Sequence, residues 1–300
     1  MSHFQKGYHF LKQLPRLEDL YLTRPWTLTG IGELSSLTRV TIDGCQEALD
    51  LYPLACLPKL VGLEVQGCQA ELLANLAELN SLTELFIDQE GVHDRISRLK
   101  NLRSLDICGH TQTTYHVNSA AYETLVGLTA LTDNALGQPS WHLLPNLALL
   151  EVHTCPPSLV GFSLPTQLRA LALYTGADEG LTLDSLGPLS ALSNLEHLDV
   201  EGKVLPLPEL GALTQLTLHF RFAADRLPAL ASTPLLQVLE LWLVADMTLP
   251  SLKDCANLKA IHYNNDDGAL AVDVSSVGLH NCVYTSCRRS VRAVDRGKLQ

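Results

Sequence analysis

Residues able to do chemistry gather near the end of the chain. Cys282 and Arg288 stand in a C-x5-R spacing, in which a thiolate could attack phosphorus while arginine and backbone N–H groups hold the oxygens. That chemistry needs a glycine-bearing loop able to fold into an anion nest, and the intervening VYTSC contains no glycine. His280, Cys282 and Cys287 are zinc-ligating types, yet a fourth ligand and the usual close pair spacing are missing. None of the patterns G-x-x-x-x-G-K-S/T, H-E-x-x-H or G-x-S-x-G occurs. His153, His219 and His262 stand singly, as polar surface histidines do. The expectation is a chain with no catalytic residue, no metal and no cofactor, whose work is binding.

The elements that would position a binding surface are written in the leucines. In LPKLVGLEVQGC, residues 57 to 68, Leu60, Leu63, Val65 and Cys68 occupy positions 1, 4, 6 and 9 of a nine-residue frame. This pattern resembles the leucine-rich repeat, L-x-x-L-x-L-x-x-N/C. It recurs about twelve times with position 1 running from Leu17 to Leu258, every instance a leucine, at spacings of 18 to 27 residues. Position 4 departs from leucine only at Val40 and Ile261, and position 6 is apolar except at Asp133. Alternation through positions 3 to 7 predicts a short strand with 4 and 6 inward and 5 and 7 outward. One such unit cannot bury its own apolar face, so copies must stack. The predicted fold is α/β: a right-handed leucine-rich-repeat solenoid, or horseshoe, with a parallel concave sheet and an irregular convex side.

Composition then follows from the repeat. The 46% hydrophobic content is largely interior leucine, so the whole chain of 300 residues reads as a single repeat domain. Residues 1–16, with Phe4, Tyr8, Phe10 and Leu11, are expected to cover the first repeat; 17–266 hold the repeats; 267–300 form a C-terminal cap and basic tail. Two irregular insertions are expected, near 110–144 and 174–194. In the first, Asp133 predicts an interrupted strand or a loop bulging off the array. No apolar run reaches the ~18 residues of a membrane span, and the start lacks a signal-peptide pattern. The eight cysteines show no terminal clusters, which predicts reduced thiols and a cytoplasmic protein. Cys45 and Cys68 sit in adjacent repeats and could nonetheless come within disulfide range.

Over residues 14 to 266 the chain is similar to short-repeat intracellular leucine-rich-repeat proteins, including phosphatase-binding regulators and the sensing regions of NLR immune receptors. LTRVTIDGC and LVGLEVQGC resemble the GC-ending repeats of those receptors, and LPTQLRALAL resembles a repeat of bacterial secreted effectors. The resemblance implies a ligand-sensing or protein-binding role. An enzyme with a site in an insertion is the other class considered.

Positions 5 and 7 identify the expected binding face. Eight of these twenty-four residues are acids, Asp43, Glu64, Asp88, Asp106, Glu151, Asp199, Glu201 and Glu240, and none is lysine or arginine. With 32 acids and 21 bases in the chain, composition alone would have placed several bases there. Phe86, Tyr174 and Trp242 are the expected aromatic anchors, with His153 and His219 beside them. A protein partner with a basic surface is therefore expected, whereas nucleic acid and membrane are not.

Overall fold

The computed structural model describes residues 7–45, 47–68, 73–88, 93–107, 119–133, 140–153, 155, 159–174, 186–201, 207–219, 230–243, 247–248, 252, 255–265, 270–271 and 283–286. The chain groups into two compact units, one of Met1–Pro156 with Gly161–Leu168, the other of Pro157–Val160 with Arg169–Gln300.

The first unit contains strands β1 (Asp19–Thr23), β2 (Arg39–Asp43), β3 (Leu49–Asp50), β4 (Gly62–Gln66), β5 (Leu73–Ala74), β6 (Glu84–Ile87), β7 (Ser104–Ile107), β8 (Ala130–Asp133) and β9 (Leu149–Val152). Seven of them pair side by side and parallel, β1, β2, β4, β6, β7, β8 and β9, while β3 pairs with β5 separately. Each frame position pairs with the same position of the next repeat: Leu20 with Val40, Val40 with Leu63, Leu63 with Leu85. Like side chains therefore stack, and Ile42, Val65 and Ile87 are fully buried.

Leucine also recurs at three-residue spacing ahead of most strands, and the backbone explains it. Leu34 N–H donates to the Ile31 carbonyl at 2.9 Å, and Leu37 to Leu34, Leu79 to Leu76 and Leu82 to Leu79 follow at 3.0, 3.2 and 3.1 Å. In such 3₁₀ geometry residues three apart eclipse, so a leucine at every third place turns each one inward. Polar residues then close the edge. Asn101, Asn146 and Asn257 each donate Nδ2–H to a carbonyl of the preceding repeat, at 2.8, 2.7 and 2.8 Å.

The second unit repeats the plan with β10 (Ala170–Leu173), β11 (His197–Glu201), β12 (Gln215–His219), β13 (Val238–Leu243), β14 (Met247–Thr248), β15 (Ala260–Asn265), β16 (Leu270–Ala271) and β17 (Val283–Ser286). Here β10, β11, β12, β13, β15 and β17 pair parallel in that order, and β14 pairs with β16.

Three expectations change. Asp133 does not interrupt β8: it pairs in register with Ile107 on one side and Val152 on the other. Its carboxylate turns inward, 1% exposed, and its Oδ2 accepts from Tyr122 Oη–H at 2.7 Å and Trp141 Nε1–H at 3.0 Å. Two polar donors buried in the same layer thus replace the aliphatic neighbours that position 6 otherwise needs. The second change concerns the thiols. Cys45 and Cys68 are joined in a disulfide with Cα atoms 4.9 Å apart, because in-register stacking brings position 9 of adjacent repeats together, so these two are not reduced. The third concerns one residue of the expected N-terminal cover. Tyr8–Gln13 forms a 3₁₀ turn anchored by Tyr8 N–H to the Thr29 carbonyl at 2.7 Å, with Tyr8 and Leu11 half-buried, whereas Phe10 is 64% exposed. Gly7 is required at this anchor, since a Cβ there would lie 2.3 Å from the Thr29 oxygen.

Phe4, Cys108, residues 110–118, Asn134 with the rest of 134–139, residues 175–185, His280, Cys282, Cys287, Arg288 and the basic tail lie outside the described residues.

Candidate binding faces

Alternation along each strand sends positions 3, 5 and 7 to the face opposite the leucines. In the first unit Asp43, Glu64, Phe86, Asp88, Glu151 and His153 are half-buried there, while Asp106 is buried at 5% exposed. Neighbouring rungs bind many of the acids. Tyr21 Oη–H donates to Asp43 Oδ2 at 2.7 Å, and this hydrogen bond, more than burial, holds the phenol above its usual range. Thr41 donates to Glu64 Oε2 at 3.3 Å, and Gln66 Nε2–H donates to Glu64 Oε1. Both oxygens of Asp88 accept from Gly67 N–H at 2.9 Å. That carboxylate secures a left-handed turn (φ +61°) that glycine alone adopts without strain. Glu151 Oε1 lies 2.9 Å from His153 Nε2.

Position 3 was missing from the expected face, although the same period of two places it there. It contributes Asp19, Glu84 and one base, Arg39, whose Nη2 lies 2.8 Å from Glu84 Oε2. Gly62 stands between them in the ladder and permits the crossing: a Cβ at 62 would lie 3.1 Å from Arg39 Cγ.

The second unit brings its predicted residues together more closely. Asp199, position 5 of β11, accepts from Tyr174 Oη–H through Oδ2 at 2.7 Å. Its Oδ1 lies 3.0 Å from His219 Nε2, a close approach whose alignment falls short of a hydrogen bond. The Tyr174 and His219 rings meet edge to face with centroids 5.9 Å apart, and Trp242 stacks on His219 at 5.2 Å and 18°. Tyr174 directly follows β10 and His219 ends β12, the two strands that flank β11, so their contact leans across position 7 of β11, Glu201, which is 5% exposed. Glu240 is half-buried and accepts from Gln215 Nε2–H at 3.5 Å. Of the three expected anchors, Tyr174 and Trp242 form one unit through His219, and Phe86 stands in the other compact unit. Sequence spacing does not show that Asp199 would join these rings.

Among the described residues no group of three or more His, Cys, Asp or Glu is arranged to hold a metal ion, and no helix is long and apolar enough to cross a membrane.

In-register parallel strands, the three-residue leucine turns and the position-9 cysteines define a leucine-rich-repeat fold. No family model matches the chain, and no curated protein matches it. Among solved structures it is similar to an internalin from Listeria monocytogenes, at 16% identity and TM-score 0.51, covering 93% of this chain and 89% of that one. A structure titled as a TLR13–ssRNA13 complex aligns at 20% identity and TM-score 0.45, with 91% of this chain on 36% of that one, too loosely to bear on the argument.

Proposed function

We propose that the chain is a non-enzymatic binding module whose acidic strand faces capture a protein partner by the partner's cationic surface. The observation that carries this reading is the bias at positions 5 and 7, eight acids and no lysine or arginine. The half-buried carboxylates in neighbouring rungs add their fields, which steers a cationic partner and repels phosphate. One exposed base, Arg39, joins them at position 3, neutralised against Glu84. The Cys45–Cys68 disulfide favours an oxidising compartment for this module over the reducing one expected from unpaired thiols.

The test compares partners retained from source extract by the wild-type chain and by Glu64→Lys/Glu151→Lys/Glu240→Lys. These three are half-buried, so lysine reaches solvent without a buried charge. Proteins specific to the wild type, released by raising the salt from 0.05 to about 0.5 M, are the expected result, since the Debye length then falls well below ~10 Å. Equal retention by both chains at either salt would leave the acids as solubilising charge only.

A further inference from the structure

The second unit presents a more particular device than an acidic surface. Its rings are fixed before any partner arrives: Asp199 ties Tyr174 at 2.7 Å and touches His219 at 3.0 Å, and His219 in turn covers one face of the Trp242 indole. Trp242 remains half-buried, and the residue in register on its other side is Asn264, a small polar side chain. Positions 3, 5 and 7 from β10 through β15 carry Asp199, Glu201 and Glu240 and neither lysine nor arginine. We infer that the Tyr174–Asp199–His219–Trp242 ladder is a subsite that reads arginine on the partner, selecting a guanidinium over an ammonium.

The chemistry separates the two cations. An ammonium is a compact, strongly hydrated point charge that gains most from several carboxylate oxygens at once. Here the central carboxylate is already engaged by Tyr174 and His219, and Glu201 is buried beside those rings. What the ladder offers is a flat, pre-oriented indole in a negative field, with the Glu240 carboxylate two residues back along the same strand. A guanidinium is planar and weakly hydrated; it stacks on an indole and forks its N–H groups to a carboxylate at the same time. Rings held in place by Asp199 lose little freedom on binding, which adds to the preference.

The inference rests on the cationic-partner reading, and the experiment tells their failures apart. End-capped hexa-arginine and hexa-lysine peptides carry equal charge; their binding to the full chain is measured by calorimetry at low salt. The arginine peptide is expected to bind about five- to ten-fold more tightly. Trp242→Ala should reduce arginine binding to the lysine level and leave lysine binding in place. Trp242→Phe, which keeps a smaller ring, should retain part of the preference and guards against a folding defect in the alanine variant. Phe86→Ala should leave the preference unchanged. Equal binding of the two peptides, or a full preference surviving in Trp242→Ala, would overturn the arginine subsite while the acidic-face reading stands. Binding of neither peptide would overturn both.

Discussion

Asp133 offers the sharpest test of how this array is built. Its carboxylate is 1% exposed and receives the Tyr122 hydroxyl at 2.7 Å and the Trp141 indole N–H at 3.0 Å, both from fully buried side chains. A hydrogen bond to a charged group contributes about 1.5–3 kcal/mol, whereas a buried donor left without an acceptor costs about 1–3 kcal/mol. Tyr122→Phe in the wild-type background should therefore destabilise by about 1.5–3 kcal/mol. Asp133→Leu restores the aliphatic pattern of position 6 yet strands both donors, and should itself destabilise. In that background Tyr122→Phe removes a stranded donor, and its effect should reverse to a gain of about 1–3 kcal/mol. Urea melts of the four chains, followed by circular dichroism, give the coupling directly. The same sign and size for Tyr122→Phe in both backgrounds would refute the arrangement. So would an Asp133→Leu chain more stable than wild type, because the carboxylate would then not be serving its two donors.

The disulfide closes a loop between residues 23 apart in sequence, for which chain entropy predicts about 3 kcal/mol of stabilisation. Cys45→Ala/Cys68→Ala should lower the urea midpoint accordingly, and unchanged melting would mean the pair does not constrain the chain. In the leucine stack, Leu198→Ala should cost about 2–5 kcal/mol and Glu64→Ala well under 1 kcal/mol; equal losses in the same melt would contradict the inward and outward assignment. Burial pushes the Cys155 thiol up to about 12, while Cys56 is exposed. At pH 8 iodoacetamide should modify Cys56 and spare Cys155 until urea unfolds the chain, as peptide mass mapping would show. Since the folded chain keeps the Cys155 proton that the unfolded chain releases near 9, stability should decline as pH rises from about 9 to 12, and Cys155→Ala should remove that part of the decline.

The sequence alone determined the strand frame. A leucine at every position 1 and near-invariant leucine at position 4 admit one register, because shifting a strand by one residue would turn that entire set to solvent. The leucines three residues ahead likewise specified turns that eclipse side chains inward. The acidic bias of positions 5 and 7 was also legible, since a period of two decides the side of the sheet without any knowledge of neighbours. Position 3 followed from the same period and completes the face with Asp19, Arg39 and Glu84.

Tertiary structure decided everything that depends on which rungs meet and at what height. Asp133 reads as a defect along the chain, and only packing reveals that Tyr122, eleven residues earlier, and Trp141, eight later, reach its carboxylate. Cys45 and Cys68 were equally compatible with two thiols until stacking brought their Cα atoms to 4.9 Å. Asp106 counted as an exposed acid in the sequence and is buried in the fold. Tyr174 follows β10, while Asp199, His219 and Trp242 come from the next three strands of the sheet, and the four share no local pattern. Their assembly depends on the lateral lean of side chains across a ladder spaced at about 4.8 Å, and spacing along the chain carries no record of that.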